Sequence, residues 1–189
     1  MPRASVREVI VETAVQEIHK YGYAACSVDT ITKAAGVPKG SFYNHFKSKE
    51  DLGAEVVRRY AAESEWNRTT PGLSPLERLR ARFTTMKDIL IGNEYTRGCL
   101  IGNMAAERAD HSDVIRTQVA LSLTSWSDGI TEEIEQAQAA GEISEKLDAR
   151  QLGRFVLNAW EGTLLRAKAD KNTQPIEDFF TVVFDTVLR

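Results

Sequence analysis

Apolar residues recur at intervals of three and four along most of the chain. Val6, Val9, Ile10, Thr13, Ala14, Ile18 and Tyr21 predict an amphipathic helix from about Ser5 to Tyr21, ended by Gly22. Ser27 stands where an N-cap is wanted for a short helix to Ala35, which buries Val28, Ile31 and Ala34 and is closed by Gly36. Pro38 suits the start of another helix. Ser48 with Asp51 resembles a capping box for a further helix, from about Lys49 to Trp66.

"TTPGLSP" (Thr69–Pro75) breaks the pattern. Leu76, Leu79, Phe83, Met86 and Leu90 then share one face of a helix from Pro75 to about Ile91. A short helix is expected over Cys99–Arg108. Ser112 opens a long one whose stripe is Ile115, Val119, Ser122, Trp126, Ile130 and Ile134, with Gly141 at its end. Asp148 opens the next, to about Ala169, and Pro175 the last, to Leu188. About nine helices and no convincing strand make an all-α chain.

Composition agrees with a globular reading. Of 189 residues, 42% are hydrophobic and 27% charged. No apolar run is long enough for a membrane span, and the opening Met1-Pro-Arg-Ala-Ser has no secretory character. Cys26 and Cys99 stand far apart without CxxC spacing, so neither a disulfide framework nor a zinc site is expected. A cytoplasmic protein without metal or cofactor is the expectation.

The net charge of −3 hides an asymmetry. Residues 1–60 hold nine Lys and Arg against seven Asp and Glu, and the rest of the chain is acidic. Between Asp29 and Glu50 there is no acid, while Lys33, Lys39, Lys47 and Lys49 are present with His45. That window is either a solvated loop or an electrostatic footprint for nucleic acid.

Helix, glycine-containing turn and second short helix between Ser27 and Phe46 form a helix-turn-helix pattern. On a helical wheel Phe42 and Phe46 share the inner side, where they can pack on Val28, Ile31 and the first helix. Gly40 and Asn44 fall on the opposite side, flanked by Ser41 and Tyr43. A bare outer side lets a helix enter a groove about 12 Å wide. Tyr43 and His45 are also compatible with packing between helices.

"SVDTITKAAGVPKGSFYNHFKSKEDL" resembles the DNA-binding region of TetR-family transcriptional regulators in its Ala-Gly-Val, Lys-Gly, Tyr-x-His-Phe and Lys-x-Glu-x-Leu elements. The resemblance implies a homodimer that binds a pseudo-palindromic double-stranded operator and leaves it when a small-molecule effector binds. It implies a DNA-binding domain over 1–48 and an effector-binding and dimerisation domain over 49–189. Lys39, Gly40, Ser41, Tyr43, Asn44 and His45 match the recognition helix, Ser27 and Thr30 open the helix before it, and Lys49 opens the one after. Lys39, Tyr43, His45 and Lys49 are expected mainly on phosphates, with Ser41 and Asn44 nearest the bases.

In the larger domain Phe83, Met86, Trp126 and Trp160 are candidates to line an effector pocket, although each is equally a core type. The last two helices carry apolar faces too wide for one neighbour, which suggests a four-helix interface between two subunits. "TRGCLIGNMAAE" and "WEGTLLRAK" are similar to an electrophile- and oxidant-responsive TetR subfamily, in which the cysteine is the sensor. Cys99 and Lys168 are the matching residues. Cys99 falls in a helical first turn near Arg97, and both features favour the thiolate. The same residue also suits a buried, inert role beside a reversible ligand. An enzyme finds no support: His19, His45 and His111 are the only histidines, and neither HExxH nor GxSxG occurs. An effector-free architectural protein would not need the larger domain, and an activator remains compatible with the same residues.

Overall fold

The computed structural model describes residues 5–64 and 70–189. Among them lie nine α-helices: α1 (Val6–Tyr21), α2 (Val28–Ala34), α3 (Lys39–Tyr43), α4 (Lys49–Ala62), α5 (Pro75–Gly92), α6 (Leu100–Arg108), α7 (Asp113–Ala139), α8 (Ala149–Asp170) and α9 (Gln174–Val182). A π-helical turn, Val183–Val187, follows α9. No strand occurs among the described residues. The expected extension of α4 to Trp66 falls partly on residues outside those described.

Local chemistry explains the starts. The hydroxyls of Ser5, Ser27 and Ser48 accept from the backbone N–H groups of Glu8, Thr30 and Asp51. Each such cap satisfies a donor that the helix cannot. Ser74 and Glu77 complete a reciprocal capping box before α5, and the Asp148 carboxylate accepts from Gln151 at 2.8 Å before α8. At Ser48 the expected box is altered: the Asp51 carboxylate accepts from the Lys47 N–H instead. Pro38 is the N-cap of α3 itself, and α3 is one short turn and a half rather than a helix through Phe46.

Two compact units divide the chain. The first comprises residues 1–63 and 99–122, the second 64–98 and 123–189. The packing division thus includes α4 and α6 with the helix-turn-helix.

In the first unit α1 buries Ile10, Val11, Ala14 and Ile18, with Ile31 of α2, Phe42 and Phe46, and Leu52, Val56 and Val57 of α4 also in the core. Gly53 lets α4 come close to its neighbours: a Cβ there would stand 2.8 Å from the Tyr23 ring and 2.9 Å from Ile115 Cδ1.

The second unit is built on aromatic contacts. Phe83 meets Trp160 at 5.1 Å and Phe179 at 4.9 Å, and Trp160 meets Phe179 at 4.9 Å between ring centroids. Tilted and edge-on pairs of this kind add to the burial of large rings. Buried Glu133 of α7 accepts from two guanidinium groups of α5, Arg78 at 2.8 Å and Arg82 at 3.1 Å. Gly153 of α8 sits directly against Thr131 and Ser127 of α7.

Candidate nucleic-acid interface

Phe42 is fully buried and Phe46 almost so, their rings 5.4 Å apart. Arg7 adds a lid from α1, its guanidinium 5.3 Å from the Phe46 ring centre and paired through Nη2 with Glu55 of α4 at 3.2 Å. The two phenylalanines therefore fix α3 from below. Above them, Lys39, Gly40, Tyr43, Asn44 and His45 are exposed and Ser41 half-exposed. Tyr43 leaves 60% of its surface open, so its ring is not a core group. Ser27 and Thr30 at the start of α2 are exposed as well, their hydroxyls 2.8 Å apart. The arrangement offers hydroxyls, an amide, an imidazole, a phenol and an ammonium on one small surface.

Lys49 departs from the expectation of a free phosphate contact. Its ammonium turns inward, donates to the Tyr23 carbonyl at 2.6 Å and lies 4.0 Å from that residue's ring centre. Burial pulls it below the usual lysine range, and the positive Arg108 adds to the effect. A ring face and a carbonyl are what hold a partly desolvated ammonium there.

Tyr23 is the centre of a junction that local sequence does not reveal. The Arg108 guanidinium stands 5.1 Å from its ring and pairs with Glu50 at 3.2 Å. Glu107 accepts from the Ala24 N–H at 3.0 Å, directly over Gly22, whose φ of +88° and lack of a Cβ leave room for the carboxylate. Burial pushes the Tyr23 phenol up to about 12 and also raises the Cys26 thiol. The C-terminal end of α6 thus grips the α1–α2 turn and α4. These partners are separated by 83 and 58 residues, a range over which no periodicity speaks.

Cys99 is buried, is not in a disulfide, and serves as the N-cap of α6: the Gly102 N–H points at its sulfur at 3.4 Å. It belongs to the first unit, whereas Phe83, Met86, Trp126, Trp160 and Lys168 belong to the second. There, Phe83 and Trp160 are in mutual contact in the aromatic core, Trp126 is buried and Met86 half-buried. Lys168 donates to the Arg97 carbonyl at 3.4 Å and Lys171 to that of Tyr95 at 3.0 Å. The loop they hold has Glu94, Tyr95 and Arg97 at positive φ. No group of three or more metal-ligating side chains occurs among the described residues, and none of their helices is long and apolar enough to cross a membrane.

The same division of labour appears in known proteins. A family model described as "Bacterial regulatory proteins, tetR family" matches residues 10–56, and one described as "Tetracyclin repressor-like, C-terminal domain" matches residues 75–183. The HTH-type transcriptional repressor DhaR of Mycobacterium sp. (strain GP1) is 35% identical over 192 residues, an alignment covering 100% of this chain and 95% of that protein. The transcriptional regulator AcuR of Cereibacter sphaeroides is 32% identical, covering 94% of this chain and 84% of AcuR. A crystal structure of a regulatory protein TetR from Rhodobacter sphaeroides matches with a TM-score of 0.86 at 30% identity, over 95% of this chain and 97% of that one. With the buried phenylalanine pair, the exposed α3 face and both family models in agreement, the chain belongs to the TetR family of DNA-binding transcriptional regulators, which are not enzymes.

Proposed function

We propose that this regulator is a repressor that grips a double-stranded operator through the outer side of α3 and the start of α2, and that a small-molecule effector releases it. Ser41 and Asn44 face the bases. Lys39, Tyr43 and His45 face phosphates, with Ser27 and Thr30 beside them; Lys49 serves by holding Tyr23. DNA contacts are assigned to residues 1–48, effector binding and dimerisation to 49–189.

The observation that carries this reading is Gly40. Glycine in a helix interior costs up to about 1 kcal/mol relative to alanine, and Gly40, the second residue of α3, bears a share of that cost. Nothing among the described residues supplies a reason for it: a Cβ built on Gly40 meets none of their atoms within 4 Å. The constraint comes from something that lies against the helix from outside. Gly40→Ala should therefore stabilise the folded chain by about 0.5–1 kcal/mol and weaken operator binding by about tenfold. Titration of the operator duplex at fixed salt measures this, and unchanged affinity overturns the assignment of α3.

Two recognition helices must reach half-sites one or more turns, about 34–36 Å, apart, so the working form is a homodimer. Its interface is the outer face of α8 with α9. Phe155, Leu165 and Val182 are 52%, 70% and 51% exposed there, and Gly162 again has open space above it. Leu165→Glu should convert the dimer into monomers by analytical ultracentrifugation; a persistent dimer moves the interface elsewhere. The effector acts by binding more tightly to one spacing of the two reading heads than to the other. Phe83, Met86, Trp126, Trp160 and Lys168 are the residues assigned to its site.

A second reading, covalent sensing at Cys99, is favoured by the Gly102 N–H that faces the sulfur. Donors at a helix start stabilise a thiolate. Cys99→Ser should then leave operator affinity intact and abolish release by a thiol-reactive electrophile such as N-ethylmaleimide. Release that survives in the variant assigns the trigger to reversible binding.

A further inference from the structure

The acid-free window ends on its N-terminal side at Asp29, and that one carboxylate is not idle. Its Oδ1 lies 3.5 Å from Nζ of Lys39, linking the first turn of α2 to the first residue of α3. Both side chains are open to solvent, 68% for Asp29 and 55% for Lys39. An ion pair so exposed contributes little to folding. It joins the two elements assigned to DNA, next to Gly40, and is the only acid between Ser27 and Lys49.

A carboxylate at that place has a definite effect on binding. Duplex DNA carries one negative charge per about 1.7 Å of its axis, so any acid held against it is repelled whatever the base sequence. By pairing with Lys39 it also occupies the ammonium that would otherwise strengthen contact with any phosphate. A carboxylate accepts and never donates. In the major groove the donors available to it are the amino groups of cytosine N4 and adenine N6. A duplex that presents such an amino group at the right place offsets the repulsion, and a duplex that does not leaves it uncompensated.

We propose that Asp29 is a specificity-determining residue: tethered by Lys39 at the edge of α3, its carboxylate weakens binding to DNA in general and accepts from a base amino group of the operator. The inference rests on the DNA face proposed above. It adds to that face a residue whose service is discrimination rather than affinity.

The test uses the full-length dimer, the duplex that the wild-type chain selects from a randomised pool, and a scrambled duplex of equal length and composition. Asp29→Ala should raise affinity for the scrambled duplex about three- to tenfold and steepen its salt dependence by about one unit of slope. Affinity for the selected duplex should stay level or fall, so the ratio of the two collapses by tenfold or more. Asp29→Asn, which removes the charge but keeps an acceptor oxygen, should retain part of the lost discrimination. Adding Lys39→Met to Asp29→Ala should cancel the gain on scrambled DNA. An equal gain on both duplexes, or none on either, overturns the inference. Tyr43→Ala is the control for the face itself: if it leaves both duplexes unaffected, the α3 assignment fails. If it weakens binding while Asp29→Ala leaves the ratio unchanged, only the role of Asp29 falls. All variants sit on exposed positions, and unchanged thermal unfolding confirms that they fold.

Discussion

Gly40 on the outer side of α3 and Gly153 in the seam between α7 and α8 are both helical glycines, present for opposite reasons. Around Gly40 there is open space; a Cβ on Gly153 would press on Thr131 Oγ1 and stand 2.9 Å from the Ser127 carbonyl oxygen. One glycine is demanded by the backbone of α7 and the other by nothing among the described residues. The difference teaches how to read a residue that local propensity disfavours. Where the neighbours explain it, the cost belongs to folding. At Gly40, on the face assigned above to DNA, they do not, and the proposed function assigns the cost to the partner.

The largest expected effect breaks the packed side of this comparison. Gly153→Ala should destabilise the second unit by about 2–3 kcal/mol, because backbone atoms on α7 cannot give way as a side chain would. Urea unfolding measures it, and a loss near zero would mean that α7 and α8 separate without cost. Gly40→Ala is the matched experiment on the open side, with a stability change of the opposite sign. If both substitutions destabilised, the distinction between inner and outer demand would not hold.

The smallest effect concerns the junction that carries α6 to the reading head. The Tyr23 phenol is raised from its ordinary value near 10 to about 12 by burial, with the Glu50 charge adding and the Arg108 charge opposing. The folded chain therefore holds this proton more tightly than the unfolded chain. Its contribution is complete below pH about 10 and drains away as pH rises toward 12. Lys49, whose value is lowered, acts with the opposite sign in wild type and variant alike. Tyr23→Phe keeps the ring between its two cations but has no proton to lose, so its stability should decline less steeply from pH 10 to 12. Parallel curves would remove Tyr23 from the alkaline transition.

Much of the fold was legible because it is written in short-range patterns. Every member of the stripe Ile115, Val119, Ser122, Trp126, Ile130 and Ile134 is buried, and the caps at Ser27 and Asp148 stand where a hydroxyl or carboxylate precedes an apolar repeat. The α3 face was legible for the same reason: Phe42 and Phe46 are four apart, and everything between them must face elsewhere. What was not legible depends on partners distant in sequence. Lys49 reads as one more basic residue until the Tyr23 carbonyl and ring are placed beside it. Arg78 and Glu133 are separated by 55 residues and carry no mutual signal. The end of the chain also differs from a plain helix, since the Leu188 N–H reaches back to the Val183 carbonyl in a π-type bond.

The carboxylate shared between Arg78 and Arg82 has a consequence for how this sequence can drift. Removing the acid alone would take the charge partner from the buried Arg82 guanidinium, while the partly exposed Arg78 keeps the Leu73 carbonyl and Gln136. Removing one base would leave the remaining pair poorly matched, yet an apolar set of similar volume can be as stable as the ionic one. Homologues should therefore either keep the trio whole or lack it altogether, because the routes between those solutions pass through chains that fold badly.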